Sequence, residues 1–207
     1  MSFIRKKLIF LILYGIFILN ILVQRIFHTK TEIHKAINQF HNSFFDIFFR
    51  FITHLGDGIF LIFLTLTFFL LKKRKIAINL LLSYLLTGII VQILKKTFFH
   101  DSPRPKKYFE ILGETLRVVE NVEIHSFQSF PSGHSTTVFA LATVLILFFE
   151  NKISQFILGI LAVTVAFSRV YLSQHFIEDI AAGSIIGISG AFLSYFLIEK
   201  FFPKKYL

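Results

Sequence analysis

The chain has no cysteine and no tryptophan, one methionine and only four prolines in 207 residues. Without cysteine it can form neither a disulfide framework nor a thiolate metal site. Collagen-like and disordered chains are excluded too, since they are poor in the large apolar residues that abound here. Charge is scarce as well: Asp, Glu, Lys and Arg make up 16% of the residues, against about 25% in soluble domains. In their place 55% of the residues are hydrophobic, 29 of them phenylalanine, and the mean hydropathy is +0.70. The remaining charge is lopsided, with a formal net value of +10. In a soluble protein that excess points to nucleic acid. Beside long apolar runs it reads as basic residues that flank membrane spans and face anionic lipid, with no nucleic-acid partner. The expectation is one integral membrane domain over residues 1–207.

Six long runs carry no Asp, Glu, Lys or Arg: 8–24, 58–71, 76–94, 124–149, 153–168 and 180–198. A helix rises about 1.5 Å per residue, so about 20 residues cross the hydrocarbon core. Four runs are long enough, the fifth is close at 16 residues, and the second becomes so when Phe51 to Asp57 are added. Six transmembrane helices are therefore predicted. With both ends on the cytoplasmic side, the inner segments 1–7, 72–75, 150–152 and 199–207 hold eleven Lys and Arg in 23 residues. The outer segments 25–50, 95–133 and 169–176 hold the other eleven in 73 residues. That density is about threefold higher inside, as the positive-inside rule requires, and it puts all eight histidines on the outer side or its interface. Arg5-Lys6-Lys7 before an apolar stretch resembles a signal peptide, but no small-x-small cleavage site follows, so an uncleaved first helix is expected.

Two outer segments are too long for simple turns. Thr29-Lys30-Thr31-Glu32 has the form of a capping box, and Ile33, Ile37, Phe40 and Phe44 recur at helical spacing. This predicts an amphipathic interfacial helix over 29–50 that runs into the second span. The other segment, 95–133, carries most of the candidate chemistry.

Three clusters fall on this outer face. Lys95 and Lys96 precede Arg104, which is held between Pro103 and Pro105. A guanidinium fork suits phosphate oxygens and Lys adds a point charge, although basic residues at a helix end also simply snorkel to headgroups. Pro131-Ser132-Gly133-His134 stands directly before an apolar run. Ser132 is a candidate N-cap, Gly133 allows close approach to the backbone, and a helix N-terminus is a ready anion site. His134 at that turn is a candidate general acid, or just a polar residue at the boundary. Ser168-Arg169 then leads to His175 and Asp179. Four residues apart on a helix, these two stack on one face, so the carboxylate can orient the imidazole and leave its other nitrogen free to attack. The bland alternative is an ordinary acid–histidine pair near a helix start.

Together these residues resemble the type 2 phosphatidic acid phosphatase (PAP2) family, in the superfamily that includes the vanadium haloperoxidases. The family pattern is Lys-x6-Arg-Pro, then Pro-Ser-Gly-His, then Ser-Arg-x5-His-x3-Asp. The second element is matched in full at Pro131 to His134, and the third at Ser168, Arg169, His175 and Asp179. The first departs, because Thr97 stands where that spacing puts Lys. An insertion around Asp101-Ser102-Pro103 would restore the match, with Lys95 favoured and Lys96 the alternative.

The resemblance implies an all-α, six-transmembrane bundle of PAP2/haloperoxidase-like type, with an interfacial helix and an outer loop carrying active-site residues within 95–179. It further implies a lipid phosphate phosphatase that works without metal or cofactor through a phosphohistidine on His175. Asp179 would stabilise that imidazolium and His134 would serve the departing oxygen. Lys95 or Lys96, Arg104, Arg169, Ser132 and Gly133 would hold the phosphate. The partner expected is a phosphorylated lipid: phosphatidic acid, phosphatidylglycerophosphate, a polyprenyl diphosphate or a lipid A-like glycolipid. No protein partner is required. The site would face the periplasm or the outside of an inner or plasma membrane, with residues 106–128 helping to select headgroups. A non-catalytic binder or transporter of phosphorylated lipids is the alternative from another class, and a vanadate-dependent oxidase a third reading.

Overall fold

The computed structural model describes residues 7–201, and all regular structure among them is helical. In chain order the helices are α1 (Leu8–Phe27), α2 (Lys30–Asn38), α3 (Ser43–Ile52), α4 (Gly58–Leu70), α5 (Arg74–Ile93), α6 (Pro105–Ile111), α7 (Gly133–Phe148), α8 (Lys152–Tyr171) and α9 (Ile177–Phe201). A 3-10 turn, Thr53–Gly56, joins α3 to α4, and a π turn, Leu94–Phe98, extends α5. Arg5, Lys6, Lys204 and Lys205 of the expected inner charge set lie outside the described residues.

Four helices among these residues are long and apolar enough to cross a membrane: α1, α5 with its π turn, α8 and α9. A fifth span exists if α3, the 3-10 turn and α4 are taken together, but that pair is bent by 55°. The expected 26-residue run at 124–149 is helical only from Gly133, because Ser132 caps the helix and residues 124–132 stay irregular. The resulting α7 is 16 residues long, about 24 Å. It is also the innermost element, with every residue from Ser135 to Leu147 buried. One of its faces packs with Phe10, Ala162 and Val165, the other with Leu61, Leu80 and Ala191. Surrounded by protein, α7 is not required to match a bilayer's thickness on its own. The outer helices show the reverse pattern, exposing Ile12, Ile16 and Leu19 on α1, Ile59 and Phe63 on α4, and Leu85 and Ile89 on α5. Such side chains suit a lipid environment.

The interfacial segment is a helix pair rather than one helix. The capping box at Thr29 forms as expected: Glu32 N donates to Thr29 Oγ1 at 3.2 Å, and Thr29 N donates to Glu32 Oε2 at 2.8 Å. The chain breaks after Asn38 because Asn42 starts a new helix, its Oδ1 accepting from Phe45 N at 3.0 Å. Of the four periodic residues, Ile33 is buried, whereas Phe40 and Phe44 are exposed.

Close contact between α7 and α9 positions the site. A Cβ on Gly183 would lie 2.4 Å from Ser132 O, and one on Gly187 would lie 2.4 Å from Thr136 O. Two glycines four apart thus let the backbones meet, as in small-residue helix crossings in membranes. Ser132 N donates to Asp179 O at 3.0 Å across that crossing.

Candidate active site

The three sequence clusters converge on one cavity of about 530 Å³, whose walls include Lys95, Arg104, Gly133, His134, Arg169 and His175. A larger cavity of about 750 Å³ between α1, α2 and α8 is apolar and lies away from these groups. Cationic and histidine side chains from the three clusters line the smaller one.

His175 follows α8 and precedes α9, and its side chain is 2% exposed. Its Nδ1 lies 3.3 Å from Asp179 Oδ2. The same carboxylate oxygen accepts from Ser129 Oγ at 2.5 Å and from Phe176 N at 2.9 Å, which fixes it at the start of α9. Burial, and then the charges of Arg104, Lys95 and Arg169, hold the His175 imidazole well below its ordinary pKa. The ring is therefore neutral at physiological pH, with Nε2 left as the nitrogen that can attack.

The cations are held by backbone oxygens, largely from residues 126–129. Lys95 Nζ donates to Gln128 O at 2.7 Å, and Arg104 Nε donates to Phe127 O at 3.0 Å. Gln128 reaches this position with φ 59°, in the left-handed region that bulky residues seldom adopt. Arg104 Nη1 also donates to Gln174 Oε1 at 3.0 Å. Burial pushes the Arg104 guanidinium below its ordinary value, and the Asp179 carboxylate offsets part of that. Arg169 Nη1 donates to Thr53 Oγ1 at 2.7 Å, while its buried Nε has no hydrogen-bond partner among the described residues. Donors without acceptors in a cationic, half-open cavity suit a phosphate-sized anion.

The two candidate lysines are placed differently. Lys95 is buried and lines the cavity, whereas Lys96 is exposed and does not. The irregularity between this lysine and Arg104 begins upstream of Asp101-Ser102-Pro103: Phe99 N donates to Leu94 O at 3.0 Å, five residues back, in a π turn. Such a turn accommodates an extra residue and re-aims the side chains that follow. Ser132 also departs from expectation. Its side chain is fully buried as the N-cap of α7, with Oγ accepting from Ser135 Oγ at 3.0 Å, and it does not line the cavity. Gly133 does, and a Cβ there would meet nothing within 4 Å, so the space beside this first helical turn is open.

Sequence reasoning missed three contributors. Ser129 and Gln174 support Asp179 and Arg104, and nothing but nearness to the motifs marked them. The third is Asp57, whose Oδ1 lies 2.6 Å from His134 Nε2.

Fold and site together define a helical membrane protein with a cationic cavity and a histidine beside a carboxylate. The chain belongs to the PAP2 superfamily, whose family model matches residues 76–203. It is 27% identical to the lipid A 4'-phosphatase of Bacteroides thetaiotaomicron over 176 residues, covering 82% of this chain and 77% of that protein. The crystal structure of Aquifex aeolicus LpxE is similar with a TM-score of 0.68 and 31% identity, over 79% of this chain and 92% of that one. The PAP2-type phosphatidylglycerolphosphate phosphatase of Bacillus subtilis shares the fold over 96% of this chain and 98% of its own, with a TM-score of 0.68 and 24% identity.

Proposed function

We propose that the chain, as one domain, is a phosphatase that removes phosphate from a lipid phosphate or diphosphate at the outer interface of a plasma or inner membrane. One observation carries this reading: a neutral, buried histidine oriented by a carboxylate faces a cavity walled by Lys95, Arg104 and Arg169. His175 Nε2 attacks phosphorus in line, and Asp179 stabilises the imidazolium that forms. The three cations and the first-turn amides of α7 neutralise the non-bridging oxygens. His134 protonates the departing oxygen and then activates water, which releases phosphate from the phosphohistidine. The bent α3–α4 pair and α7 complete a six-helix bundle, and the site opens on the face opposite Lys72 to Lys75.

The substrate class follows from the setting. Cations at the membrane face, with apolar helix surfaces around them, favour a phosphate carried on a lipid anchor. The test is phosphate release by detergent-purified protein from phosphatidic acid, phosphatidylglycerophosphate, undecaprenyl diphosphate and lipid A, in excess EDTA. Release is expected in EDTA and is expected to fall by about 10⁴-fold or more in His175→Ala. Full release by His175→Ala would overturn the mechanism. No release from any lipid, with lipid binding intact, would favour a binder or transporter instead.

A further inference from the structure

We infer that Asp57 is the positioning carboxylate of His134, so that the site works with two histidine–carboxylate pairs. This rests on His134 serving the leaving oxygen, as proposed above. Asp57 lies upstream of residues 76–203, the stretch that matches the family model, and outside all three motifs. It occupies the N-cap position of α4, where an aspartate ordinarily turns its carboxylate onto the first amides of its own helix. Here the side chain makes no such bond. Both oxygens face histidines instead: Oδ1 lies 2.6 Å from His134 Nε2, and Oδ2 lies 2.8 Å from His54 Nδ1.

The backbone around Asp57 is built for this approach. A Cβ on Gly56 would sit 3.1 Å from the Cβ and carbonyl oxygen of His134, and a Cβ on Gly58 would sit 2.1 Å from Tyr84 Oη. Glycine on both sides eases this close approach to α7 and α5. Asp57 and His134 also share a cavity of about 180 Å³ that adjoins the cationic one at Gly133 and His134. With Nε2 turned to Asp57, Nδ1 is the nitrogen left for the substrate.

The proton accounting is simple. His175 Nε2 forms the P–N bond while the P–O bond breaks, and its electron pair goes to the leaving oxygen, which takes the proton from Nδ1 of the His134 imidazolium. In the second step water oxygen bonds to phosphorus, its proton goes to His134, and the P–N electron pair returns to His175. Asp57 stays a carboxylate throughout. It fixes the ring's orientation and keeps the proton-bearing form available.

The experiment compares wild type, Asp57→Asn and Asp57→Glu on two micellar substrates, with thermal melting as the check on folding. Dioctanoyl phosphatidate has an alkoxide leaving group that needs the proton, whereas an octyl-substituted para-nitrophenyl phosphate leaves without it. Asp57→Asn is expected to lower kcat/KM, which reports only the steps up to the phosphohistidine, on the order of 100-fold on phosphatidate and only a few-fold on the aryl phosphate, while the shared hydrolysis step slows kcat on both. Asp57→Glu should recover part of the loss with the same substrate bias, and it carries the test if Asp57→Asn does not fold. Asp57→Asn added to His134→Ala should slow phosphatidate turnover no further. Equal losses of kcat/KM on both substrates, no loss on either, or additive losses in the double variant would overturn the inference. His175→Ala separates this from the reading beneath it: if that variant still turns over both substrates, the mechanism falls and the role of Asp57 with it.

Discussion

The His175–Asp179 and His134–Asp57 pairs are built by opposite means. The first joins residues four apart where α9 begins, and its side chains are 2% and 7% exposed. Its carboxylate needs further donors, supplied by Ser129 and the Phe176 amide, because an unpaired buried charge is costly. The second joins residues 77 positions apart, at 27% and 33% exposure, where the α3–α4 pair bends by 55° around Asp57. The deep pair holds a neutral ring inside a cationic shell, which suits the nucleophile proposed above. The shallow pair is more exposed, which suits the proton exchange with water and leaving group proposed above. On the proposed mechanism, burial depth sorts two chemically similar pairs into different tasks.

The largest effect that would break this comparison is expected at Asp179. Asp179→Asn keeps the shape but removes the charge that stabilises the His175 imidazolium, and by analogy with triad aspartates it should cost about 10³- to 10⁴-fold in kcat on every substrate, whatever the leaving group. Asp57→Asn should cost less in kcat/KM, and mainly where the leaving group needs a proton. If kinetics on the two micellar substrates gave both variants the same profile, the division of labour would be refuted.

A smaller effect separates the lysines. Lys95→Ala should lower kcat/KM about 100-fold through loss of a cavity cation, while Lys96→Ala should leave it within about twofold. Reversal of that order would move the motif lysine to Lys96. The pair also shows what the sequence made legible. His175–Asp179 could be read because helical spacing puts residues four apart on one face, and Pro-Ser-Gly-His because a cap must precede its helix. The lysine could not be settled by counting, since the π turn at Leu94–Phe98 alters which residue faces inward. Asp57 was beyond reach because a bend between two helices leaves no periodic mark, and the Gly56-Asp57-Gly58 stretch only reads as a close approach once Tyr84 and His134 are in place. For α7 the charge-free run looked long enough to span, but the N-cap at Ser132 starts the helix only at Gly133.

The smallest expected effect is on stability and concerns the deep side of the comparison alone. His34 on α2 is 1% exposed, with Nε2 3.1 Å from Ser173 Oγ, two residues before His175, and its ring against Phe109 and Phe176. Burial, followed by the neighbouring His41, lowers its pKa to about 4, while Asp179 offsets part of the shift. A histidine near 6.5 when unfolded and near 4 when folded binds fewer protons in the folded state across that window. Its contribution is therefore complete above pH 6.5 and is lost as pH falls towards 4, amounting to roughly 3 kcal/mol at the end of the window. His175, held neutral by burial and by three cations, acts in the same direction. Thermal melting in detergent at pH 7 and at pH 4.5 should show a drop for wild type and a smaller drop for His34→Gln, which cannot take up the proton. Equal drops would mean that the packing against Phe109 and Phe176 tolerates a charged ring.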